Sequence, residues 1–202
     1  MWRRNFQWPG DKDEDDARLL RLADRVRDLG TDDAYTLAAT GAALFHNGLD
    51  YDGGSDLVEL AVRLNPNLAL AYHSRGYLRV WSGLSDAAIV DFERNMRLNP
   101  RDPLTFLSLF GIAFGHHNAG RYAEAASWAD KSIREFPYFA GGLMVAIPCY
   151  VEAGRMDDAK RTMSTLLRLV PHANSQMRFG AIRLEALRMK FREAHLKAGL
   201  PE

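Results

Sequence analysis

The chain has 202 residues, with 26 Lys+Arg balanced by 26 Asp+Glu, and 47% of its residues are hydrophobic. That balance excludes a disordered polar tail, a collagen-like fibre and a disulfide scaffold, and the length allows one or two domains with a real core. The zero net charge hides a gradient: residues 1–60 carry −6, residues 61–154 carry +1 and residues 155–202 carry +5. Such an asymmetry reads either as two solvated helix faces, or as head-to-tail association or an anionic partner at the C-terminal end.

In chain order, Trp2–Gly10 reads as an arm or the remnant of a helix. The acidic run Asp11-Lys-Asp-Glu-Asp-Asp16 opens a helix over 13–29, with Ala17, Leu20, Ala23 and Val26 on its apolar side. The start of the chain has no apolar core of the kind a secretory signal needs, and the longest stretch without a formal charge, Pro103–Gly120, is too short in its apolar part for a bilayer. Cys149 is the only cysteine, which excludes an internal disulfide and reads as a buried small side chain in a reducing cytoplasm.

From residue 35 onward a repeat takes over. Arg63-Leu-Asn-Pro66 and Arg97-Leu-Asn-Pro100 are identical and 34 residues apart, and Pro137 and Pro171 follow at spacings of 37 and 34. Ahead of the last three prolines stand Gly83 and Ala88, Gly120 and Ala125, Gly154 and Ala159, always five residues apart and with the proline twelve further on. Each element of that frame has a physical reason. The glycine ends a first helix in the left-handed region, and Asp86, Glu124 or Asp157 opens the second against the helix dipole. The alanine sits where two helices cross closely, and the proline stops the second helix. Apolar residues recur at spacings of three and four in every segment, and none shows sustained alternation, so no sheet is expected.

A 34-residue period with this frame resembles the tetratricopeptide repeat, a helix–turn–helix unit. Gly41, Ala42 and Gly76 fit its small first-helix positions, and Phe45 and Tyr150 fit its large ones, whereas Arg79 stands where an aromatic is usual. The resemblance implies an all-α, right-handed superhelical solenoid in one domain, 1–202. Residues 1–34 form a degenerate repeat or N-terminal cap, and the repeats span 35–68, 69–102, 103–139 and 140–173. The third has about three extra residues in its first helix. A capping helix over 174–198 closes the stack within 174–202. Its two apolar stripes are Met177, Leu184, Leu187 and Phe191 on one side, and Ile182, Met189 and Leu196 on the other. The second stripe reads either as a homodimer contact through this helix or as a segment that breaks into two short helices. Residues 50–103 and the terminal 197–202 are also similar to the C-terminal repeat region of bacterial proteins that carry a class III adenylate cyclase or a winged-helix domain. That likeness implies a regulatory module without its effector.

The chemistry-bearing residues do not assemble into a reaction centre. His116 and His117 are adjacent and point about 100° apart on a helix, no His–Glu–x–x–His frame occurs, and Asp52-Gly-Gly-Ser55 lacks the lysine of a phosphate loop. No cofactor, metal or catalytic residue is expected. Bases at 178, 183, 188, 190, 192 and 197 spread around the last helix, which argues against nucleic acid. In the repeat family the first helices line the concave surface. The register then places His46, His73, Tyr77, Trp81, Phe110, Phe114, His117 and Met144 in an aromatic and histidine-rich groove for a protein or peptide, with no cation clamp for a terminal carboxylate. Pro148 is expected to kink the fourth first helix, and Gly111 and Gly115 to let another helix approach.

Overall fold

The structure, a computed structural model, describes residues 11–174 and 182–201. The readings placed on Trp2–Gly10, Met177 and Arg178 lie outside the described residues. Every regular element among the described residues is an α-helix: α1 (Lys12–Leu29), α2 (Ala34–His46), α3 (Tyr51–Leu64), α4 (Ala69–Trp81), α5 (Ser85–Leu98), α6 (Thr105–Asn118), α7 (Tyr122–Glu135), α8 (Ala140–Glu152), α9 (Met156–Leu169) and α10 (Glu185–Lys197).

The helices pair as α2/α3, α4/α5, α6/α7 and α8/α9. Each second helix ends two residues before its proline, at Leu64, Leu98, Glu135 and Leu169. Gly83, Gly120 and Gly154 all have φ between 74° and 80°, as the left-handed end of a first helix requires. The acids Asp86, Glu124 and Asp157 lie in the first turns of α5, α7 and α9. Ala88, Ala125 and Ala159 are completely buried where the paired helices cross. In the first hairpin two glycines replace that alanine: a Cβ on Gly41 would stand 2.5 Å from the Gly54 carbonyl oxygen. Asp52-Gly-Gly-Ser55 is therefore the helical start of α3, brought hard against α2.

Hairpins stack by the same device. Gly111 faces the Phe92 ring, and Gly115 faces Ile89, so both admit α5. The extra length of the third unit lies mostly before its first helix, because six residues join α5 to α6 whereas four join α3 to α4 and α7 to α8. First helices of consecutive hairpins lie against one another, α2 on α4, α4 on α6 and α6 on α8, and second helices do not pack to that degree. The first helices thus form the inner layer and the second helices the outer one.

Arg79, the departure from the repeat pattern, has a local partner. Asp91 on α5 is almost fully buried and accepts two hydrogen bonds from Arg75, at 3.0 and 2.8 Å, while Arg79 approaches it at 2.8 Å. Glu59 of the preceding hairpin contacts both arginines. A buried carboxylate held by two guanidiniums satisfies its lone pairs and sets the rotation of α4 between α3 and α5.

Close crossings make overpacking the main hazard of the fold. A Cβ on Gly142 would fall 1.8 Å from the Phe110 ring. Gly142→Ala is expected to lower unfolding free energy by about 1–3 kcal/mol or more, and Phe110→Leu in the same chain to restore part of it. Urea titration of both variants measures this; a stable single variant would show that the two hairpins are not that tightly apposed.

Candidate functional site on the inner face

The first half of the inner layer is a ring cluster. The His46 ring centroid lies 4.4 Å from Phe45, 4.8 Å from Trp81 and 5.4 Å from Tyr77. His73 is 5.1 Å from Tyr77, and its Nδ1 is 3.2 Å from Ser108 Oγ. The Tyr77 hydroxyl donates to the Leu107 carbonyl at 2.7 Å, which ties α4 to α6. Burial pulls His46 down to about 3, with His73 adding to the effect, and burial pulls His73 down to about 4. Both rings are therefore neutral near pH 7 and serve as aromatic and hydrogen-bonding surface. His46, His73 and Tyr77 remain partly exposed, while Trp81 beside them is buried.

The end of the chain lies across the inner layer, from the end of α4 and the start of α3 to α6 and α8. Residues 182–184 run non-helically across the end of α4, where the Arg183 N–H donates to the Trp81 carbonyl at 3.1 Å. That carbonyl belongs to the last turn of α4 and has no helical donor of its own. The Arg183 guanidinium lies 4.2 Å from the Tyr51 ring centre and 3.2 Å from Asp52. Further on, the Phe191 ring sits 4.8 Å from Phe114 and 5.1 Å from His117. Lys190 donates to the Tyr122 hydroxyl at 2.6 Å and reaches Glu152 at 3.8 Å. The basic end of the sequence thus meets acids of the same molecule.

Pro148 explains one more contact. It lies inside α8 and cannot donate to the Met144 carbonyl. His195 on α10 neighbours that carbonyl and bonds the Phe191 carbonyl through Nδ1 at 2.6 Å. Burial lowers its pKa, and the two carbonyls oppose that shift.

Of the eight residues read as groove-lining, His46, His73, Tyr77 and Met144 are partly exposed. Phe110 is 2% exposed and packs against Phe106, Phe139 and the Gly142 backbone, so it belongs to the seam between the third and fourth hairpins. Phe114 and His117, 2% and 1% exposed, lie beneath Phe191. The polar group beside the His117 ring is the Asn118 side chain, which opposes the shift that burial imposes. The terminal helix itself begins only at Glu185, and its buried side is Leu187, Phe191, Ala194, His195 and Ala198, while Leu184, Met189 and Leu196 are exposed. Ile182 precedes the helix and is buried with Trp81 and Phe45. The expected stripes were therefore mixed. Ile182 joins the buried set, Leu184 leaves it, and the alanines and the histidine that complete it carry little hydrophobic signal.

Among the described residues no group of three or more metal-ligating side chains occurs. Cys149 is fully buried, with its Sγ 3.8 Å from the Ala113 carbonyl, and burial raises its thiol pKa, which keeps it protonated. No described helix is long and apolar enough to cross a membrane.

No protein-family model matches the chain. The mitochondrial import receptor subunit TOM70 of Rattus norvegicus is 23% identical over 131 residues, which is 62% of this chain and 22% of the receptor. The Mus musculus protein matches at the same identity, so the chain spans about a fifth of the length of these curated relatives. Among solved structures, MamA aligns with a TM-score of 0.57 at 20% identity, over 78% of this chain and 84% of that one. TTC0263, a thermophilic tetratricopeptide repeat protein of Thermus thermophilus, gives 0.60 at 18% identity, over 82% and 89%. PilW, a type IV pilus biogenesis factor, gives 0.70 at 12% identity, over 93% and 84%. The fold they share with this chain is the tetratricopeptide-repeat solenoid.

The three inner-face histidines make stability depend on pH. His117 is lowered to about 4 by burial and by Lys190. Above pH 6.5 these rings are neutral whether the chain is folded or not. As pH falls from 6.5 toward 4, the unfolded chain takes up protons that the folded chain refuses, so stability falls. Each ring is expected to cost about 1–2 kcal/mol between pH 7 and pH 5. Thermal melts across that range test this, with His117→Leu flattening the slope; equal melting temperatures at pH 7 and pH 5 would refute it.

Proposed function

We propose that this chain is a non-enzymatic scaffold that binds a protein or peptide partner on its inner face. The single observation that carries this reading is the continuous layer of aromatic and neutral histidine side chains on the first helices, part of it left open at His46, His73 and Tyr77. Aromatic rings offer large contact area at low entropic cost, and neutral imidazoles add hydrogen bonding without charge. The matched proteins support the same reading, since one is named as an import receptor subunit and another as a pilus biogenesis factor. Trp81, Phe110, Phe114 and His117 then shape the layer from behind or beneath the terminal segment, and Met144 extends its partly exposed part. A bound segment is held mainly by apolar contact, without a carboxylate clamp, and neither nucleic acid nor a membrane is a partner.

A second reading has one observation in its favour. A segment of the chain already lying on the inner face suits a regulatory module of a cyclase-like signalling protein or a transcription regulator, acting in the cytoplasm of a bacterium. An effector domain encoded directly upstream would favour this reading.

Affinity capture with the purified chain, repeated with His73→Ala and Tyr77→Ala, tests the main proposal. A partner of the wild-type chain is expected to bind at least about tenfold more weakly to variants that keep their helical spectrum, which corresponds to about 1.4 kcal/mol. Folded variants that retain every partner would sink it.

A further inference from the structure

The end of the chain contacts the inner face as a ligand does. Its backbone caps a helix-end carbonyl at Trp81, one aromatic ring enters a pocket between Phe114 and His117, and two cations pair at the rim. On the outward side of α10, Met189 is 65% exposed and Leu196 39%. The Arg183–Asp52 pair at the rim is exposed, with side chains 50% and 87% accessible, so it contributes little to stability.

The pocket floor is polar as well. His117 is buried beneath Phe191, and the Asn118 side chain beside it opposes the shift that burial imposes on its ring. The Met144 carbonyl, left free by Pro148 and neighboured by His195, marks a second polar point on the same surface.

We propose that residues 182–201 are a tethered, replaceable occupant of the inner face, displaced by a partner whose binding segment is a basic amphipathic helix of the same design: one aromatic anchor, a cation at the residue before it and a polar donor four residues after it. This rests on the inner-face reading above and adds its regulation. The tethered segment lowers the apparent affinity for any such partner by the fraction of time it is bound. The spacing follows Lys190, Phe191 and His195. The cation reaches Tyr122 and Glu152, the ring enters the pocket, and the donor lies near the Met144 carbonyl.

A fluorescent peptide of residues 182–201 tests the proposal by anisotropy against three full-length proteins: wild type, Phe191→Ala, and Arg183→Glu with Lys190→Glu. The double variant changes only rim residues and keeps the test open where Phe191→Ala fails to fold. The opened proteins are expected to bind the peptide at least about tenfold more tightly than wild type, and a peptide carrying Phe191→Ala to lose that binding. Folded, opened proteins that bind no better than wild type would make the segment a fixed part of the core and overturn the proposal. That result leaves the broader inner-face reading standing, because the His73→Ala and Tyr77→Ala comparison keeps the terminal segment intact. A concentration-dependent wild-type dimer that dissociates on Phe191→Ala would assign the site to a second copy and also overturn the arrangement within one chain.

Discussion

A hairpin of two amphipathic helices has more apolar surface than its own partner helix can cover, and this shortage places every element of the chain. Each hairpin hides its remaining stripe against the next, so stability accrues by stacking. Stacking at this distance demands small residues where helices cross. Gly41 on Gly54, Ala88, Ala125 and Ala159 supply them within hairpins, and Gly111, Gly115 and Gly142 supply them between hairpins. The large rings, Phe92 and Phe110, fill the space those glycines leave. The inner layer is the one surface that stacking cannot finish. It stays partly open at His46, His73 and Tyr77, and elsewhere the end of the chain lies over it.

Apolar contact sets how closely the hairpins approach, and a few charged groups set their rotation. Asp91 between Arg75 and Arg79 does this for the first two hairpins. Asp130 repeats it further along, paired with Arg155 and the Tyr150 hydroxyl. Burial works against its ionised form, but the hydrogen bonds from Arg155 and Tyr150 win and its pKa falls. Such pairs add little net stability when both partners are present, and they penalise any slipped register that would strand one of them.

The hairpins were legible in the sequence because their turn chemistry repeats. A left-handed glycine, a small crossing residue and a helix-stopping proline each have a local cause, and three copies at one spacing leave little else to fit. The third unit shows where that logic stops: its added residues were read into the first helix, but an ordinary-looking loop, 99–104, absorbs most of them. Exposure at the expected lining positions does not follow from register. Phe114 corresponds in register to the partly exposed Tyr77, and the return of a distant segment places Phe191 over it and over His117. Nothing local encodes that return. The buried side of α10 is built largely from Ala194, His195 and Ala198, residues whose apolar signal is weak, while its more greasy Met189 faces outward.

The account depends most on the end of the chain lying on the inner face, and one amide reports it directly. The Arg183 N–H belongs to no helix, and its bond is to the Trp81 carbonyl. Residue-resolved hydrogen exchange of the intact chain should find this amide protected, and protection should vanish in Phe191→Ala while α6 and α8 stay protected. Free exchange at Arg183 in the wild-type chain, with α6 and α8 still protected, would contradict the account.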